Sequence, residues 1–226
     1  SYDNESIPNV KEELDRKRRE IAPSVFAQQY LAEFTDLEGR IYTEFKRDDA
    51  LRYLPFTPER YGLSIDFGYN HPLAAFVYAI SSDDKIHVIK ELYMRKLDDK
   101  MRLNAIRDLT ANFEIDVAVA DSEDPIAIVQ LNRDLPYRID PAIKGPDSVL
   151  TGINLVKSAF HSKQLTISDQ CVNLIDELES YAWKLDKDGN ETDKPNKEND
   201  DAVDSLRYFI MKMNGNNRIT LDDIYM

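Results

Sequence analysis

Apolar and polar residues alternate strictly along the stretch from Tyr61: Tyr61, Leu63, Ile65 and Phe67 interleave with Gly62, Ser64 and Asp66. That two-residue period predicts a strand. Gly68, Asn70 and Pro72 mark a turn, and Leu73–Ile80 (LAAFVYAI) supplies a continuously apolar second strand. Lys85–Met94 (KIHVIKELYM) reads as a third, entered through a turn at 81–84, so the three form an antiparallel meander. The period then lengthens. Met101, Leu103, Ile106, Leu109 and Phe113 predict a helix over Asp98–Asn112, and Ile115–Ala120 (IDVAVA) a short strand ending at Asp121. Asp124-Pro125 opens a helix, with Pro in the first turn where a missing N–H costs nothing.

Farther along, Tyr137–Ala142 predicts another strand, Pro146–Phe160 a helix, Leu165–Ile167 an extended piece and Cys171–Tyr181 a helix. A polar segment, 182–198, carries the hairpin signal Asp188-Gly189. Asp200–Met213 is the last strong helix, with Val203, Leu206, Ile210 and Met213 on one face. The order β-β-β-α-β-α-β-α-α-hairpin-α predicts a mixed α/β sheet, three antiparallel strands followed by a crossover to strands parallel to the first. Ahead of it, residues 1–20 read as a solvated helix or linker, Ser24–Phe34 as a short amphipathic helix, and Ile41–Phe45 as extended. Pro55 and Pro58 place a boundary near 57, which divides the chain into a leading segment 1–57, a core 58–213 and a tail 214–226.

Charge sharpens this picture. With 42 acidic and 29 basic residues the net charge is −13, which argues against a passive nucleic-acid binder. Clustered carboxylates that hold divalent cations lower the net charge too, so a nuclease stays compatible. The single Cys171 excludes a disulfide framework, and His71, His87 and His161 lack zinc-like spacing. No apolar run reaches the length of a membrane span. Asp186, Asp188 and Asn190 mimic the start of a calcium loop, but Glu191 and Lys197 stand where it needs Gly and Glu.

Three acids fall at corresponding places: Asp66 on the first strand, Asp121 at the end of the fourth, and Asp204 one turn into the last helix. An acid inside an apolar strand is costly to bury unless it is paired, protonated or metal-bound. If the first and fourth strands are parallel neighbours, Asp66 and Asp121 stand side by side, an arrangement that a bridging cation makes favourable. Asp201 adds an acid at i−3 from Asp204, and Asp200 one at i−4. Oxygen-only ligands suit magnesium or manganese. Plainer readings stay open for each member: Asp200 and Asp201 as helix caps, Asp121 as a turn residue, Asp66 as partner of a buried basic group. Glu91 and Glu123 read as solvated or as supports of such a site.

Several motifs carry a resemblance. They are D-x-G-x-x-x-P at Asp66, Gly68 and Pro72, A-D-S at 120–122, K-G-P-D-S-V-x-x-G-I at 144–153, and N-D-D-A-V-D-S-L-R-Y at 199–208. With the leading FAQQYLAEFTDLEGRIYTEF, they resemble the nuclease domain of the large terminase subunit of tailed bacteriophages, over about 24–213. The resemblance implies a ribonuclease H-like fold with Asp66, Asp121 and Asp204 as catalytic acids binding two divalent metals, Mg2+ or Mn2+. Asp201 falls where some relatives carry a His or Asp near the metals. Lys144 is placed near DNA phosphate, and Lys184, Lys187 and Lys194 lie on a hairpin that flanks the site in the family. The implied activity is endonucleolytic cutting of concatemeric viral DNA during packaging, in the host cytoplasm. Implied partners are double-stranded DNA, an ATPase domain ahead of residue 1, a small terminase subunit and a portal. The chain has no G-x-x-x-x-G-K-[ST] phosphate loop of its own.

Two rivals remain at this point. A junction resolvase or transposase of the same fold would use the same acids. An actin-like or sugar-kinase fold also opens on an acid-and-glycine turn, but needs further glycine-rich loops that 7 Gly in the whole chain hardly supply.

Overall fold

The structure is a computed structural model and describes residues 39–186 and 190–216. The expectations for 1–20 and 24–34, for Lys187 and for most of the tail lie outside these residues. The meander forms as the alternation predicts: β1 (Arg60–Asp66), β2 (Leu73–Ile80) and β3 (Ile86–Met94) pair antiparallel in order. Helix α2 (Asp99–Thr110) follows a four-residue helical turn, α1 (Arg47–Ala50), in chain order and leads to β4 (Ile115–Ala120). Strand β4 lies parallel to β1 on its free side. Next come α3 (Pro125–Asp134), β5 (Ile139–Pro141), α4 (Ser148–His161), β6 (Leu165–Ile167), α5 (Val172–Ser180), the hairpin β7–β8 (Trp183–Leu185, Glu191–Pro195) and α6 (Asp201–Asn216). The main sheet has the order β5-β4-β1-β2-β3-β6. Its far edge goes beyond the expectation: the extended piece at 165–167 adds parallel to β3.

Side-chain period two splits the sheet between two cores. Leu63, Ile65, Ala75, Val77, Ala118 and Ala120 face one core with Ile106 of α2 and Ile128 of α3. On the other face, Phe76, Tyr78, Ile80 and Val119 pack with Ile153, Leu174, Leu206 and Phe209 of α4, α5 and α6. Strand β2 is buried along its whole length, which explains why its sequence shows no alternation. The described part of the leading segment joins the second core. Ile41, Tyr42 and Phe45 are buried, and Ile41 N–H donates to the Tyr181 carbonyl at 2.8 Å. Residues 41–45 are bends and turns rather than a strand, with one isolated bridge between Arg40 and Ala182.

Helix α6 lies close against β1 because β1 presents small residues to it. A Cβ built on Gly62 would sit 2.3 Å from Cζ of Phe209. Two residues on, Ser64 Oγ is 2.8 Å from Ser205 Oγ and 2.7 Å from the Tyr78 hydroxyl. Asp66 is the next residue on that face, so the polar half of the alternation is the seat of the last helix. Tyr78 and Phe209 stack with centroids 3.7 Å apart and close the core beneath.

Candidate active site at the head of the sheet

Strands β1 and β4 end together at the same edge of the core. Asp66 is the last residue of β1, and the Asp121 N–H, one residue past β4, donates to the Ile65 carbonyl at 2.9 Å. Both acids are buried, each 8 % exposed. The first turn of α6 brings Asp201 and Asp204 over them, held in helical register by the Asp204 N–H to Asp200 carbonyl bond of 2.8 Å.

The electrostatics show how closely the four acids are grouped. Burial pushes the Asp66 carboxyl up to about 9, aided by the charges of Asp204, Asp121 and Asp201 and by a hydrogen bond with Asp121. Burial also raises Asp200, to about 6, and Asp201, both with Asp204 contributing. Each outer acid has a cation. Arg207, 4 % exposed, places its two nitrogens Nη2 and Nε 2.9 and 3.2 Å from Asp204 Oδ1. Lys144 places Nζ 2.5 Å from Asp121 Oδ1 and 2.8 Å from Glu123 Oε1. Asp66 has no ion pair among the described residues, so the buried basic partner considered from the sequence is not found there.

Among the described residues no three His, Cys, Asp or Glu side chains close on a common point as a finished metal cage. Asp204 and Asp121 are paired with Arg207 and Lys144, while burial and the neighbouring acids push the Asp66 carboxyl upward. The donor set itself fits a hard divalent cation, being all carboxylate oxygen, two acids buried and two partly buried, with a central member that lacks a positive partner among the described residues. Mutual repulsion of such a cluster is relieved by a bound cation.

The other predicted residues divide. Asp201 joins the cluster. Lys184 and Lys194 are exposed on the two strands of the hairpin, and no ion pair links either to the acids among the described residues. Glu91 is not a free surface acid. It accepts from the Asn173 and Leu174 N–H groups at 3.2 and 2.8 Å and from the Asn173 side chain at 2.6 Å, which caps α5.

One residue that shapes the site was missed in the sequence. Glu177 of α5 is buried, and its Oε2 accepts from the Ala202 and Val203 N–H groups at 2.7 and 3.0 Å. Its Oε1 accepts from the Tyr93 hydroxyl at 2.7 Å. Burial pushes the Glu177 carboxyl up to about 8 against the pull of these donors. The open end of α6 is therefore capped from a neighbouring helix, by the Glu177 carboxylate. The sequence signal was an acid within the apolar stripe Leu174, Ile175 and Leu178.

Comparison with known proteins identifies the family. The family described as the Terminase RNaseH-like domain matches residues 63–213. The terminase large subunit of Escherichia phage T5 is 26 % identical over 212 residues, 88 % of this chain and 47 % of that protein. The chain thus spans about half the length of that curated relative. The large terminase of a thermophilic bacteriophage, solved in complex with ATP-gamma-S, superposes with a TM-score of 0.67 at 23 % identity, over 94 % of this chain and 54 % of that one. The nuclease domain of the bacteriophage SPP1 large terminase, solved with bound Mn, gives 0.57 at 23 % identity, over 74 % and 95 % of the two chains.

Proposed function

The chain belongs to the Terminase RNaseH-like domain family, and on that premise we propose that it is a metal-dependent endonuclease that hydrolyses phosphodiester bonds of double-stranded DNA. The observation that carries the proposal is Asp66, a buried carboxyl among three other acids with no cation of its own in the described chain. Asp66, Asp121 and Asp204 would hold two divalent ions, Mg2+ or Mn2+, with Asp201 beside them; the manganese of the SPP1 domain supports that choice. Bound there, such ions supply an activated water and neutralise charge on the leaving oxygen.

The chain's own residues do the rest. Asp66 is fixed by the end of β1 and shielded from water, so its charge is strong when it ionises. Arg207 orients Asp204 from beneath, and Glu177 holds the helix end on which Asp201 and Asp204 ride. Lys184, Lys187 and Lys194 would meet the DNA backbone, giving weak sequence preference and strong salt dependence.

The wider reading follows the relatives. The segment 1–57 would lead from a motor ATPase to the nuclease core at 58–213, with 214–226 as a tail. The whole protein would cut concatemeric viral DNA during packaging, in the host cytoplasm, with a small subunit and portal delivering the substrate. The test is incubation of the chain with supercoiled plasmid in EDTA, Mg2+ or Mn2+. Metal-dependent nicking and linearisation that vanish in Asp66→Ala support the reading. Cleavage that persists in that variant, or in EDTA, sinks it.

A further inference from the structure

The loop between β5 and α4 turns back over the end of β4 and delivers Lys144 to the acids. Its ammonium sits between Asp121 and Glu123, 5.5 Å from the centre of the Tyr208 ring. The Lys144 side chain is 31 % exposed, whereas that of Asp121 is 11 % exposed. The approach is thus from the solvent side.

The two cations of the site are built differently. Arg207 lies on the same helix as Asp204, one turn away, with its stem packed against Gly152 of α4. It cannot leave without unpacking two helices. Lys144 rides on the loop ahead of α4, next to Gly145, where nothing lies within 4 Å of an added Cβ. The loop enters α4 through Asp147 in the left-handed region, φ 61°. Arg207 is held inside a helix packing, whereas Lys144 reaches Asp121 from a partly exposed loop.

We infer that Lys144 is the resident counter-ion of Asp121, an internal cation that occupies one carboxylate oxygen until a divalent ion displaces it. The inference rests on the metal-nuclease reading above. It assigns Lys144 a place in metal loading that precedes any contact with phosphate. Removing the ammonium strips a competitor from Asp121 and also removes the charge that offsets the acid cluster in the metal-free chain. Two effects of opposite sign follow: the metal-free protein loses stability, and divalent ions bind more tightly, by about fivefold for a partly exposed ion pair.

The experiment is a titration of the full chain with Mn2+, reading free ion by its paramagnetic resonance signal, alongside thermal melts in EDTA and in Mn2+. Wild type, Lys144→Met and Lys144→Arg are compared. The inference expects Lys144→Met to melt lower in EDTA, to bind Mn2+ about fivefold more tightly, and to gain more from Mn2+ than wild type gains. Lys144→Arg should stay near wild type. Unchanged Mn2+ affinity in Lys144→Met, with wild type binding normally, overturns the inference alone. So does a variant that loses DNA affinity while its Mn2+ affinity stays put, since Lys144 is then a phosphate contact only. Failure of both wild type and Lys144→Met to take up Mn2+ overturns the metal-centre reading, and the inference with it.

Discussion

Ser64 of β1 and Ser205 of α6 hydrogen-bond to each other at 2.8 Å, in a site with no exposure on either side. That bond sets the last helix on the sheet directly below the acids, since Asp66 follows Ser64 on the same face and Asp204 precedes Ser205. The Tyr78 hydroxyl, 2.7 Å from Ser64, completes a buried trio.

Ser64→Ala leaves two buried hydroxyls short of a partner. The expected cost is about 1–3 kcal/mol, a melting shift of roughly 2–4 °C for each kcal/mol in a chain of this size. Calorimetry checks the first figure. Cleavage per folded molecule should fall as well, because the seat of Asp204 loosens.

Gly152 of α4 gives a prediction opposite to helix propensity. Alanine in a helix interior normally gains about 1 kcal/mol over glycine. Here a Cβ would sit 2.4 and 2.6 Å from Cγ and Cδ of Arg207 and 2.8 Å from Sδ of Met211. Gly152→Ala should therefore destabilise by about 1–3 kcal/mol through overpacking. Denaturant melts that show a gain would contradict the close α4–α6 approach.

Glu177→Ala removes the acceptor for two helix N–H groups and for the Tyr93 hydroxyl. Loss of a cap costs roughly 0.5–2 kcal/mol, and the buried donors left behind raise that figure. Amide exchange should show faster opening at Ala202 and Val203, with the rest of α6 still protected.

These predictions mark what the chain announced and what it concealed. The alternation of Gly62, Ser64 and Asp66 against Leu63 and Ile65 was legible because period two is a local property. It gave the strand, its two faces and the acid at its end. Asp121 and Asp204 were legible as acids ending one element and starting another, and the parallel β1–β4 pairing brings the first of them beside Asp66. Glu177, Arg207 and Lys144 are different. Glu177 and Lys144 act on residues far away in sequence, Ala202 and Asp121, and no local period encodes those partners; Arg207 pairs with Asp204 within one helical turn, but its burial against α4 is non-local. The small size of Gly62 and Gly152 likewise acquires meaning only once Phe209 and Arg207 lie against them. The strand at 165–167 joined an edge through a non-local parallel pairing, which three residues cannot specify alone.

His87 on β3 supplies a pH dependence of stability. It is buried beside Thr166, with Nδ1 2.9 Å from the hydroxyl, and burial holds its pKa down to about 4. The unfolded chain titrates near 6.5. Below that pH the unfolded state takes up a proton that the folded state refuses, so stability is full above about 6.5 and is lost as pH falls toward 4. Melts of wild type and His87→Gln across this window should diverge, with the variant showing the shallower dependence.

The central claim is that Asp66, Asp121 and Asp204 form one metal centre organised around Asp66. Its most direct measurement is the binding isotherm of Mn2+ for the wild-type chain and for Asp66→Ala, with circular dichroism as the check on folding. The account predicts saturable binding to wild type, and a loss of about 100-fold or more in the folded variant, beyond the 10–100-fold typical of an outer-sphere partner. Equal binding by wild type and a folded Asp66→Ala would contradict it.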